Sequence, residues 1–119
     1  RNNPVSVIVD KKSMISSIER VALIISDKVK TPVRFKFEDG VVNLNTHGTI
    51  GTASDTCAIT GDGGGLEIGF NDKYILDAVK NASAESIKIE LNTSISPAII
   101  VPAEGEEKFV YMVLPVRLK

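Results

Sequence analysis

Apolar side chains fall at every second position from Val5 through Val7 to Val9, and again from Leu66 through Ile68 to Phe70. A period of two puts such residues on one face of a β-strand. Each run stops at a short polar residue, Asp10 or Asn71, that can accept hydrogen bonds from the unpaired N–H groups of a first helical turn. Beyond each cap the period lengthens to that of a helix: Met14, Ile15, Ile18, Val21, Ala22 and Ile25 in one case, Ile75, Leu76 and Val79 in the other. The two stretches superpose at an offset of 61 residues, the distance from Asp10 to Asn71, with Lys12 over Lys73 and Ile18 over Val79.

Strands follow each helix. "VRFKFEDGVVNLN" alternates Val33, Phe35 and Phe37 with Arg34, Lys36 and Glu38, and its Asp39-Gly40 predicts a tight hairpin turn. A third strand is expected over 50–59. The second copy offers "SIKIELN", "PAIIVPA" and "KFVYMVLPV", with "AEGEE" as the last hairpin loop. The chain thus reads as βαβββ followed by βαβββ, internal repeats at about 5–60 and 65–118 of one domain spanning 1–119. The fold class is α+β, with two helices on one side of antiparallel sheet. "GDGGG" between the copies reads as a flexible connector. A phosphate loop would follow a strand and open a helix, and no Gly-Lys-Ser/Thr follows here.

Composition narrows the function classes. A chain of 119 residues fits one domain, and its 24% charged and 43% hydrophobic residues are those of an ordinary globular protein. Apolar runs stop at about five residues, where a membrane span needs roughly 20. Cys57 is the single cysteine and His47 the single histidine, which excludes an internal disulfide and leaves no zinc-binding set. No metal and no cofactor are expected, and the cytoplasm is the expected compartment. The first residue is Arg rather than Met, and the chain is expected to be a piece of something longer.

A net charge of −1 argues against a protein that grips nucleic acid over its whole surface. Asp55, His47 and Cys57 are the material for a small enzyme, but no nucleophile, base and orienter can be argued to meet. The expectation moves from enzyme to binding protein. Two features exceed what a simple core needs. "VALII" is apolar all round its helix, so at least one of Leu23 and Ile24 points away from the buried face, as at a subunit contact. The polar faces of the helices carry Lys11, Lys12, Arg20, Lys73 and Lys80 against Glu19, Asp72 and Asp77. The end, "VYMVLPVRLK", stays apolar to within two residues of the terminus, where chains usually turn polar and fray.

"GFNDKYILD" and the "LPVRL" ending, set in this order of strand, capped helix and strands, resemble the third, C-terminal domain of bacterial sliding clamps, the beta subunit of DNA polymerase III. The resemblance covers the chain from Val5 onward. It implies the DNA-clamp fold and a non-catalytic processivity factor, in which homodimers of three-domain chains close into a ring around double-stranded DNA. It implies that the helix cations Lys11, Lys12, Arg20, Lys73 and Lys80 face the DNA without reading sequence, and that Leu23 and Ile24 stand at the dimer contact. It implies a cleft that takes short peptides of the polymerase catalytic subunit, clamp loader and repair proteins. Carried over by motif, that cleft uses Val29, Asn71, Tyr74, Ile95, Pro97, Met112, Val113, Leu114, Pro115, Val116, Arg117 and Leu118. The alternative is a stand-alone peptide-binding module.

Overall fold

A computed structural model describes residues 5–25, 31–48, 51–82, 85–103 and 111–116. Within them lie β1 (Val5–Asp10), α1 (Lys11–Ala22), β2 (Val33–Gly48), β3 (Gly51–Phe70), α2 (Asp72–Asn81), β4 (Ser86–Leu91), β5 (Ala98–Pro102) and β6 (Tyr111–Val113). Both helices start where their caps predict. The Asp10 carboxylate accepts from the Ser13 N–H and the Ser13 hydroxyl, each at 3.0 Å. Asn71 Oδ1 accepts from the N–H groups of Lys73 and Tyr74 at 2.9 and 3.2 Å. α1 buries Met14, Ser17, Ile18 and Val21, a spacing of three and four that makes one stripe. α2 buries Ile75, Ala78 and Val79 in the same way.

The strands form one sheet in the order β2-β3-β1-β4-β5-β6, every neighbour antiparallel. After β6 the tail comes back to β3: Val116 N–H donates to Gly69 C=O at 2.7 Å, which curls the sheet. The pairings are exchanged between the two halves of the chain. β1, which leads into α1, pairs with β4, the strand after α2, in the register Val7 to Ile89. The second half of β3, which leads into α2, pairs with the first half of β2, the strand after α1, in the register Ile68 to Phe35.

Asp39-Gly40 is not a hairpin turn. β2 continues through it, and the register against β3 shifts between Phe37 and Asp39 and again between Asp39 and Val41. Gly40 has φ 77°, the positive value that a β-bulge can need as much as a tight turn does. The bulge switches which face the strand buries: Val33, Phe35 and Phe37 point inward before it, Val42, Leu44 and Thr46 after it. β2 and β3 stay paired as far as Gly48 and Gly51.

Nor are the glycines a flexible connector. They lie within β3, with Asp62 opposite Asp39 and Gly63 buried against Phe37. β3 pairs with β2 on both sides of these glycines, from Gly51 to Ala58 and again from Leu66 onward, and with β1 at Ile59 and Thr60 just before them, so three strands meet at this crossing. Beneath this crossing the rings of Phe35, Phe37 and Phe70 pack together, each 1% exposed.

α1 is tied to β3 by Arg20, whose guanidinium donates to Asp55 Oδ2 at 2.7 and 3.1 Å. That bond, more than any other influence, holds the Asp55 carboxyl below its ordinary 3.8. A carboxyl with a lowered folded value adds stability above about pH 4 and loses it as the pH falls through the folded value. Asp55→Asn is therefore expected to cost about 0.5 kcal/mol at pH 7, small because Arg20 is more than half exposed, and less at pH 2. Urea denaturation at the two pH values checks it; an equal loss at both would show that packing, not charge, matters there.

Candidate functional site

Proline has no N–H for a sheet ladder, so Pro115 ends the run that β6 begins, and pairing resumes one residue later at Val116. The chain between is held close to α2 at both ends. At one end Val116 is fixed to Gly69, two residues before Asn71. At the other the Tyr111 hydroxyl donates to the Asn81 carbonyl at 3.0 Å. Between helix and tail lies a groove of about 540 Å³, lined by Asn71, Tyr74, Asp77, Ala78 and Asn81 on one side and by residues 111–116 on the other.

The groove gathers apolar surface that the fold leaves uncovered. Tyr74 is 68% exposed, Met112 64% and Leu114 68%, three of the largest exposed apolar side chains among the described residues. Single exposed apolar residues are ordinary; several on one concavity mark a place where another molecule can bury them. The polar groups lining it are mostly answered from within the chain. Asn71 Oδ1 caps α2, and Asn81 Nδ2 donates to the Asp77 carbonyl at 2.7 Å.

Of the residues expected in a cleft, Asn71, Tyr74 and all of 112–116 meet here. Ile95 and Pro97 do not line the groove; they sit in the turn before β5, whose first residue Ala98 pairs with Val113. Val29, Arg117 and Leu118 lie outside the described residues. Asp77, Ala78, Asn81 and Tyr111 line the groove and were missed. Their spacing from Tyr74, at four and seven residues for Ala78 and Asn81, was the available signal.

The helix cations differ among themselves. Lys11 Nζ donates to the Ala82 carbonyl at 2.6 Å, so it closes the end of α2 rather than standing clear. Arg20 pairs with Asp55, and Lys80 lies 3.5 Å from Glu19. Lys12 and Lys73 are exposed on the first turns. Leu23, at the C-cap of α1, is 82% exposed, while Ile24 is half-buried.

Asp55, His47 and Cys57 do not converge. His47 pairs with Thr52, which sets Asp55 and Cys57 three and five residues farther along β3, about 10 and 17 Å away. Cys57 is buried, and burial pushes its thiol up, away from the thiolate a nucleophile needs.

Known proteins resemble this chain in sequence and fold. The family described as DNA polymerase III beta subunit, C-terminal domain, matches residues 1–117. A beta sliding clamp from Streptococcus pneumoniae is 32% identical over 105 residues, covering 85% of this chain and 27% of that protein. One from Streptomyces coelicolor is 31% identical, covering 98% and 32%. Among solved structures, a sliding clamp from Pseudomonas aeruginosa superposes with a TM-score of 0.91 at 26% identity, over 99% of this chain and 32% of that one. A sliding clamp from Bartonella birtlesii bound to griselimycin gives 0.90 at 30%, over 98% and 31%. The chain spans about a third of the length of the relatives it matches.

Proposed function

The chain belongs to the DNA polymerase III beta subunit family, matching its C-terminal domain, and on that premise we propose that it is one domain of a sliding clamp, a non-catalytic processivity factor. Such a ring encircles double-stranded DNA and holds a polymerase to it. The gain is effective concentration: a tethered enzyme rebinds its template sooner than it diffuses away. The exchanged strand pairings support reading the domain as a duplicated βαβββ unit.

The groove between α2 and the tail carries the proposal. It takes a short extended peptide from the polymerase, the clamp loader or a repair protein. Tyr74, Met112, Leu114 and Val116 supply apolar burial, worth about 25 cal/mol per Å² removed from water. Val29, Ile95, Pro97, Arg117 and Leu118 belong to the same cleft on family resemblance. The helix faces with Lys12 and Lys73 turn toward DNA. Pairing of Arg20 and Lys80 with carboxylates keeps that surface weakly positive, which suits phosphate contacts that slide rather than hold. Leu23, with Ile24 beside it, is the surface through which two full-length protomers meet.

Titration of a fluorescent Gln-Leu-Ser-Leu-Phe peptide into the chain tests the groove. Tyr74→Ala is expected to weaken binding by about 2 kcal/mol, roughly 30-fold, as for an anchor residue. Tyr74 is exposed, so the unfolding midpoint should not move. Unchanged peptide affinity would remove the groove as the docking site.

A further inference from the structure

We infer that the groove selects a peptide carrying a cationic side chain at one end, and that Asp77 reads it. The inference rests on the groove being the peptide site. From Asn71 to Asn81 the helix rises about 15 Å, at 1.5 Å per residue. An extended segment of four to five residues, at about 3.3 Å each, matches that length. The tail runs alongside in the opposite sense, with Val116 near the start of α2 and Tyr111 at its end. The two ends of the groove are therefore chemically different.

At the Asn71 end the carboxamide oxygen is occupied by two backbone N–H groups. At the far end the Asn81 amide is bonded to the Asp77 carbonyl, and the Tyr111 hydroxyl to the Asn81 carbonyl. The Asp77 carboxylate stands apart from these. It is exposed, it is the one charged side chain among the described residues that line the groove, and no hydrogen bond or ion pair joins it to another described residue. With its apolar residues over Met112, Leu114 and Val116, a peptide sets its residue at the Asn81 end within a long side chain's reach of Asp77, which lies four residues, about 6 Å, short of Asn81 along α2. A Lys or Arg there would lay its apolar stem on Ala78 and set its charge against the carboxylate, whereas a Glu or Asp would be repelled.

The test uses the same peptide extended at either end by Lys, Gln or Glu, in about 20 mM salt, where exposed charges are little screened. At one end the Lys form is expected to bind about fivefold more tightly than the Glu form, as suits a rim pair. Asp77→Asn should bring the three forms within about twofold of one another. Charge-blind binding at both ends, or a preference for Lys that survives Asp77→Asn, would overturn the role of Asp77 and leave the groove standing. No binding by any peptide would instead remove the groove, and this inference with it.

Discussion

Phe35→Ala is expected to lower the stability of the domain by about 4 kcal/mol, within the 3 to 5 that removal of a buried Phe ring costs. Phe35 is 1% exposed and stands at the centre of the aromatic cluster. Its ring stacks on Phe37 at 6.1 Å between centroids and meets Phe70 edge-on at 5.5 Å. It also sits in the strand pair that joins the two halves of the chain, opposite Ile68. Its neighbours are held by two strands and cannot all close on the space. Since small domains are stable by about 5 to 15 kcal/mol, the loss takes roughly a quarter or more of the total. Guanidinium denaturation measures the loss; a value below about 1.5 kcal/mol would mean that the surrounding side chains refill the site.

Gly63→Ala is expected to cost about 3 kcal/mol, at the upper end for overpacking. A Cβ at Gly63 would lie 2.2 Å from Phe37 Cβ and 2.7 Å from the Phe37 carbonyl oxygen. Those are atoms at the root of a buried side chain and in a strand backbone, neither of which can swing aside. Gly64 makes the control, because a Cβ there meets nothing within 4 Å and the cost comes from its φ of 67° alone. Strain of that kind is about 1 to 2 kcal/mol. The Gly63 variant should melt well below the Gly64 variant; the reverse order would show that the close approach of β3 to Phe37 is absent in solution.

The two glycines explain where sequence reading stopped. Strand starts, helix caps and buried helix faces were legible, because each depends on neighbours within a few residues. Asp10 and Asn71 needed nothing beyond the turn that follows them. Asp39-Gly40 and "GDGGG" were misread because a positive φ serves a turn, a linker or a bulge equally well. What decides among them is the strand opposite, which local sequence does not identify. One sign was present: buried positions change from odd at 33, 35 and 37 to even at 42, 44 and 46, so the strand changes its buried face between Phe37 and Val42. A hairpin would have allowed the same change, so the sign alone did not separate the two.

The groove was legible in part for a similar reason. Asn71 and Tyr74 belong to a motif, and the apolar tail declared itself by persisting so near the terminus. Ala78 and Asn81 were hidden because which side of α2 faces β6 is set by tertiary packing. Tyr111 was hidden because its hydroxyl finds Asn81, thirty residues away in sequence.

The exchanged strand pairings bear on how the chain reaches this state. β1 meets β4 across 82 residues, from Val7 to Ile89, and neither half owns the partner that its opening strand requires. Pairings so distant in sequence make folding slow relative to a helical bundle of equal size, since loop closure is incurred before any contact rewards it. They also make the domain one cooperative unit. A break in the chain at the glycines of β3 would leave two fragments that hold each other's edges, each covering strands the other would otherwise leave open to aggregation.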